Sequence, residues 1–158
     1  MTDTPFNQAY QRCLQLLARR EYSQLELRQK LTQQSVEAAV IDDCLARLQQ
    51  ENYQSDRRFA DMLCHTRVNQ RYGSQKIRYE LKQKGIENSL INATLAEYQT
   101  MWLDNARQLI SRKASGAEVK KIFTDFTLKH KITRFLVGKG YDYDTIHLAF
   151  ESLQDDDK

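Results

Sequence analysis

The spacing of apolar residues along the chain predicts helices throughout. Leu27 and Leu31 stand four apart, as do Ile41 and Leu45, Ile77 and Leu81, Ile91 and Leu95, and Ile132 and Leu136. That interval puts both side chains on one face of an α-helix and leaves the other faces to polar residues. Longer helical stretches precede these pairs. Tyr10, Leu14 and Leu17 share a face in residues 6–19, and Phe59, Leu63 and Arg67 do so in residues 55–71. A third stretch, 102–123, is interrupted at Ala114, Ser115 and Gly116, so it reads as two helices or as one helix with an enlarged turn.

The apolar pattern repeats. An offset of 50 pairs Tyr22 with Tyr72, Leu27 with Ile77, Leu31 with Leu81, Val36 with Ile86, Ile41 with Ile91 and Leu45 with Leu95. A further offset of 55 pairs Ile77 with Ile132, Leu81 with Leu136, Gly85 with Gly140, Ile86 with Tyr141 and Ile91 with Ile146. Each copy carries its own helix-start chemistry. Ser23 and Glu26 form a capping box flanked by a hydrophobic staple of Tyr22 and Leu27. In the second copy Gly73 takes the N-cap place, a tolerated substitute for Ser, ahead of a basic helix expected over residues 74–84. Val36 with Ile41, Ile86 with Ile91 and Tyr141 with Ile146 repeat the staple for the last helix of each copy. Gly85 and Gly140 stand where a left-handed residue ends the preceding helix.

The predicted architecture is all-α: three tandem three-helix repeats, 1–53, 54–100 and 101–158. A unit of this size buries little by itself, so the repeats are expected to stack into an elongated, curved array. One proline and five glycines in 158 residues suit that reading. At 28% charged and 41% hydrophobic residues the chain is expected to fold without a disulfide or metal staple. Cys13, Cys44 and Cys64 form no C-x-x-C pair and read as small buried thiols in a reducing, cytoplasmic setting. The scattered histidines make no metal site, and no stretch suits a membrane span or a secretion signal.

Charge adds what the apolar pattern does not. The net charge is only +3, but residues 56–85 carry eight Lys/Arg against three Asp/Glu, and residues 112–139 carry eight against two. Residues 140–158 carry one lysine against six acids. This asymmetry points to a polyanion or an acidic protein surface as partner, with the acidic end as a solvated tail.

In the second repeat Asp56, Arg57, Arg58, Phe59 and Ala60, then Arg67, Gly73, Lys76, Ile77, Glu80, Leu81, Lys84, Gly85 and Ile86 closely resemble the central signature of the RecX family, regulators of the RecA recombinase. The opening of the first repeat, from Arg19 through Tyr22, Ser23, Glu26 and Leu27 to Leu31, is also similar to that family. The resemblance covers most of the chain and is looser in the third repeat. It implies a non-enzymatic protein that binds RecA filaments on single-stranded DNA and lies along their helical groove. There it restrains strand exchange, ATP hydrolysis and co-protease activity, in recombinational repair and the SOS response. The chain is expected to act as a monomer and without a cofactor.

The candidate contact residues divide by helix face. With Ile77 and Leu81 turned to the core, Arg78 and Lys82 lie on one flank, and Lys76, Glu80 and Lys84 on the other. Tyr79 faces outward and could stack on a base or anchor a protein contact. Arg71 precedes this helix. In the third repeat Lys120, Lys121, Lys129, Lys131, Arg134 and Lys139 form a second basic field, part of it simply the wet side of amphipathic helices. Asp56, Phe59, Arg67, Gly73, Ile77, Leu81, Gly85 and Ile86 read as scaffold. Asp56 is placed to cap a helix starting near Arg57, and Arg67 to pair with a neighbouring acid. No nucleophile motif or phosphate loop is present, and GKG at 138–140 lacks the preceding strand and third glycine of a dinucleotide fingerprint. The runner-up reading is a stand-alone nucleic-acid-binding helical module that grips single- or double-stranded DNA through the basic fields. A third is an adaptor for another acidic protein.

Overall fold

The computed structural model describes residues 4–114 and 121–156. These residues form nine α-helices, a short 3-10 turn at 121–123, and no strand. The first triplet is α1 (Pro5–Leu17), α2 (Gln24–Gln33) and α3 (Ala38–Gln50). The second is α4 (Asp56–Asn69), α5 (Ser74–Gln83) and α6 (Asn88–Ala96). The third is α7 (Gln99–Ala114), α8 (Phe126–Lys139) and α9 (Tyr143–Asp156). The expected all-α chain of three three-helix repeats is therefore present. Helix α7 starts before the expected boundary at residue 101, because the Tyr98 carbonyl already accepts from the N–H groups of Met101 and Trp102. It is described as far as Ala114, and Ser115 and Gly116 of the expected interruption lie outside the described residues.

By contacts the chain divides into two units, one of residues up to 63 with 81–91, the other of residues 64–80 with the chain from 92 onward. The first triplet lies in one unit and the third in the other, and the division passes through the helices of the second. In the first triplet Cys13 and Leu16 of α1 and Ile41, Cys44, Leu45 and Leu48 of α3 enclose Leu27 and Leu31 of α2. In the third, Ala106 and Ile110 of α7 and Ile146, Ala149 and Phe150 of α9 pack with Ile132 and Leu136 of α8. In the second triplet Phe59, Ile77, Leu81, Ile86 and Ile91 are all buried. Burying a Leu, Ile or Phe side chain stabilises by about 1.5–3 kcal/mol, so each of these buried positions contributes to holding the fold. All three cysteines are buried and none is in a disulfide.

Helix starts follow local chemistry. The Ser23 hydroxyl accepts from the Glu26 N–H at 3.1 Å, and the Glu26 carboxylate accepts from the Ser23 N–H at 3.0 Å, completing the capping box. Asp142 caps α9 by accepting from the Thr145 N–H at 2.8 Å. Asp125, not singled out from the sequence, caps α8 through the Leu128 N–H. Asp56 departs from expectation. The hydroxyl of Ser55 caps α4, because the helix already begins at Asp56. The Asp56 carboxylate instead accepts from the Gln24 N–H at 2.9 Å, satisfying a donor at the open end of α2. Buried Gln54 fixes that carboxylate, donating to it at 2.9 Å and to the Tyr22 carbonyl at 3.2 Å.

The middle helices end alike. Val36 N–H reaches Leu31 O, Ile86 N–H reaches Leu81 O, and Tyr141 N–H reaches Leu136 O, each at 3.1 Å. This bond needs a left-handed residue just before the donor. Ser35 (φ 63), Gly85 (φ 81) and Gly140 (φ 101) supply it. Since a serine manages at 35, backbone freedom alone does not demand glycine at the other two positions. Close approach does. A Cβ on Gly85 would stand 2.8 Å from Leu25 Cβ, and one on Gly140 would stand 2.5 Å from Lys76 Cβ. Gly73 has the same reason: a Cβ there would stand 2.3 Å from the carbonyl carbon of Gly140. It is thus required by contact, where the sequence suggested only a substitute for serine.

Candidate functional site

Helix α5 spans Ser74–Gln83, one residue shorter than expected, and buries Ile77 and Leu81 completely. Tyr79 faces outward at 64% exposure, and Lys82 is exposed. On the same flank as Lys82, Arg78 donates to Asn92 Oδ1 at 2.7 Å. Glu80 on the opposite flank is taken up by Arg67, whose Nε reaches Oε1 at 2.8 Å and whose Nη2 reaches Oε2 at 2.9 Å. The acid of α5 therefore neutralises a cation of α4, and among the described residues no acid pairs with Lys76 or Lys82 of its own helix.

The basic side chains at the two ends of α5 have different surroundings. At its C-terminal end, Lys84 Nζ lies 3.3 Å from Glu26 Oε2, an oxygen that also meets Arg20 Nη2 at 3.0 Å. The Arg20 guanidinium lies 3.6 Å from the centroid of the Tyr22 ring. Burial pushes the Glu26 carboxyl up, but hydrogen bonds from Arg20 and the Ser23 N–H, with the charges of Arg20 and Lys84, hold it below its ordinary value. Lys84 is thus committed to an internal ion pair.

The N-terminal end of α5 meets the C-terminal end of α8. Gly73 N–H donates to the Lys139 carbonyl and Gln75 N–H to the Gly140 carbonyl, both at 2.8 Å. Buried Tyr141 donates its hydroxyl to the Arg71 carbonyl at 2.9 Å. Arg71 has a left-handed backbone, φ 64, and its Nε reaches Gln108 Oε1 at 3.2 Å. Lys76 Nζ lies 4.4 Å and Lys139 Nζ 4.1 Å from the centroid of the Tyr72 ring. The two basic fields of the sequence thus meet here, one lysine from each.

The remaining candidates are more scattered. Lys129 Nζ lies 5.3 Å from the Phe150 ring centroid, while Lys121, Lys131 and Arg134 are exposed. Lys120 lies outside the described residues. From the sequence Tyr72 is marked only as the repeat partner of Tyr22. Its role between two lysines has no local sequence signal, because Lys139 arrives from a distant helix. Among the described residues no three or more His, Cys, Asp or Glu gather as a metal site. No described helix is long and apolar enough to cross a membrane.

Comparison with known proteins supplies the family. Models of the first, second and third three-helix domains of RecX match residues 9–48, 55–95 and 99–150. The regulatory protein RecX of Haemophilus influenzae is 35% identical over 137 residues, covering 86% of this chain and 88% of that protein. Those of Stenotrophomonas maltophilia and Legionella pneumophila are 36% and 35% identical, each covering 92% of this chain and 87% and 95% of the relative. The crystal structure of RecX from Lactobacillus salivarius shares the fold, with a TM-score of 0.84 at 21% identity over 95% of this chain and 97% of that one. The chain belongs to the RecX family of regulatory proteins.

Proposed function

We propose that the protein is a modulator of the RecA recombinase that binds RecA filaments on single-stranded DNA. It restrains their strand exchange, ATP hydrolysis and co-protease activity in recombinational repair and the SOS response. Membership of a family of regulatory proteins named RecX supports this reading. The structural observation behind it is the division of labour on α5: Ile77 and Leu81 are fully buried while Tyr79 and Lys82 face solvent. An outward tyrosine beside cations is the composition of an interface anchor. On this reading Arg78, Tyr79 and Lys82 touch the filament, and Arg67, Gly73 and Gly85 hold the helix that presents them. The working unit is a monomer of three repeats bounded near residues 53 and 100.

Titration into RecA's DNA-dependent ATPase tests the proposal. Inhibition is expected, and no change at excess protein refutes it. Arg78→Ala with Lys82→Ala is expected to weaken filament binding with little change in melting. The exposed cations Lys121, Lys131 and Arg134 favour a second reading, direct DNA binding. That reading requires tight association with bare DNA that falls log-linearly with salt. Equal affinity for bare and RecA-coated DNA would replace the first reading with the second.

A further inference from the structure

The two ends of α5 carry the same junction built twice, with one charge exchanged. At each, a glycine that ends one middle helix packs on the first turn of another: Gly85 on Leu25, and Gly140 on Lys76. At each, a lysine just before that glycine, Lys84 or Lys139, reaches toward the first turn of that helix. A tyrosine just before that turn, Tyr22 or Tyr72, carries a cation at its ring. The repeat offset sets Tyr22 against Tyr72 and Glu26 against Lys76, while Lys84 corresponds to Lys139. In the first junction a single oxygen of Glu26 bridges the two cations, Arg20 and Lys84. In the second, lysine stands in the position of that glutamate.

Two ammonium groups are consequently gathered at one ring without the carboxylate that the sister junction uses. Among the described residues no acid pairs with Lys76 or Lys139. The acids nearest in sequence are engaged, Glu80 by Arg67 and Asp142 by the first turn of α9. The open N–H of Gln75 is occupied by the Gly140 carbonyl, so the helix end offers no competing anion site. Ring contact attracts each cation but does not cancel its charge.

We propose that Tyr72, Lys76 and Lys139 form a seat for a carboxylate side chain of a protein partner, which completes the junction from outside as Glu26 completes the other from within. The chain's own example is a carboxylate, which favours an acidic protein surface over DNA phosphate. The partner's identity as the RecA filament rests on the preceding reading. The seat itself does not.

The test has two arms. In the first, poly-L-glutamate and a short oligothymidylate are titrated separately while the NMR signals of the Tyr72 ring are followed. Polyglutamate is expected to move them, and Lys76→Glu, which supplies an internal partner for Lys139, is expected to abolish the effect. In the second, binding to RecA-coated single-stranded DNA is measured for the wild type, Lys76→Glu and Lys139→Gln. Both variants are expected to bind about tenfold or more weakly while their melting temperatures hold. Ring signals that ignore polyglutamate, or that answer only to oligothymidylate, overturn the carboxylate seat. Filament binding equal to wild type in both variants removes the RecA filament as the partner that fills the seat. A wild type that seats polyglutamate at Tyr72 but ignores RecA-coated DNA leaves the seat standing and removes RecA as the partner.

Discussion

Arg67 holds Glu80 in a two-pronged grip, Nε to one carboxylate oxygen at 2.8 Å and Nη2 to the other at 2.9 Å. Both side chains are partly buried, so the pair is better shielded than a surface ion pair. Arg67→Ala is expected to cost about 1–2 kcal/mol. Arg67→Lys should recover little of it, because an ammonium cannot reproduce the planar fork. Thermal melting of both variants is the check. An unchanged midpoint in Arg67→Ala would remove the scaffold role.

Glycine substitutions separate contact from conformation. Gly73→Ala drives a methyl into the backbone at Gly140 and is expected to cost about 2–3 kcal/mol. Gly138 lies within α8 with nothing within 4 Å of its Cβ position. Gly138→Ala should therefore stabilise, by about 0.5–1 kcal/mol. Denaturant midpoints of the two variants should move in opposite directions.

Asp56 completes a helix that it does not belong to. Removing a capping side chain costs about 1 kcal/mol, and Asp56→Ala should show that loss as faster hydrogen exchange at the Gln24 amide. Ser55→Ala should leave Gln24 alone and speed exchange at Arg58. If Asp56→Ala altered the amides of α4 alone, the assignment across helices would be wrong.

Glu26 gives the protein an acid-sensitive contact. Its folded carboxyl titrates below the ordinary value of 4.5, so the folded state favours the ionised form. The stability it contributes is present above about pH 4.5 and is lost as pH falls through the lower, folded value. Glu26→Gln can keep the capping-box bond but not the charge. Its melting temperature should lie below wild type at neutral pH, and the gap should close as the solution is acidified below pH 4.5. A gap constant with pH would show that the ion pairs with Arg20 and Lys84 contribute nothing.

What could be read from the sequence followed the range of the cause. The burial of Ile77 and Leu81 was legible because helical periodicity is a matter of four residues, and the Ser23–Glu26 capping box because it closes over three. The left-handed turns at Gly85 and Gly140 were legible for the same reason. The N-cap place of Gly73 was legible but its contact with the Gly140 backbone was not, and Asp56 was misjudged because the Gln24 N–H that it satisfies comes from another helix. Lys84 and Lys76 looked alike on one flank of one helix. Only folding gives the first a glutamate and sets the second beside another lysine.

The bond from the Gln75 N–H to the Gly140 carbonyl also bears on the order of assembly. Synthesis runs from the N-terminus, and segments fold as they emerge. The first turn of α2 is finished by Asp56, and the first turn of α5 by a carbonyl near the far end of α8. On a ribosome the middle helix of each of the first two repeats stays open at its leading edge until a later repeat has emerged. The protein therefore completes its architecture one repeat behind its own translation.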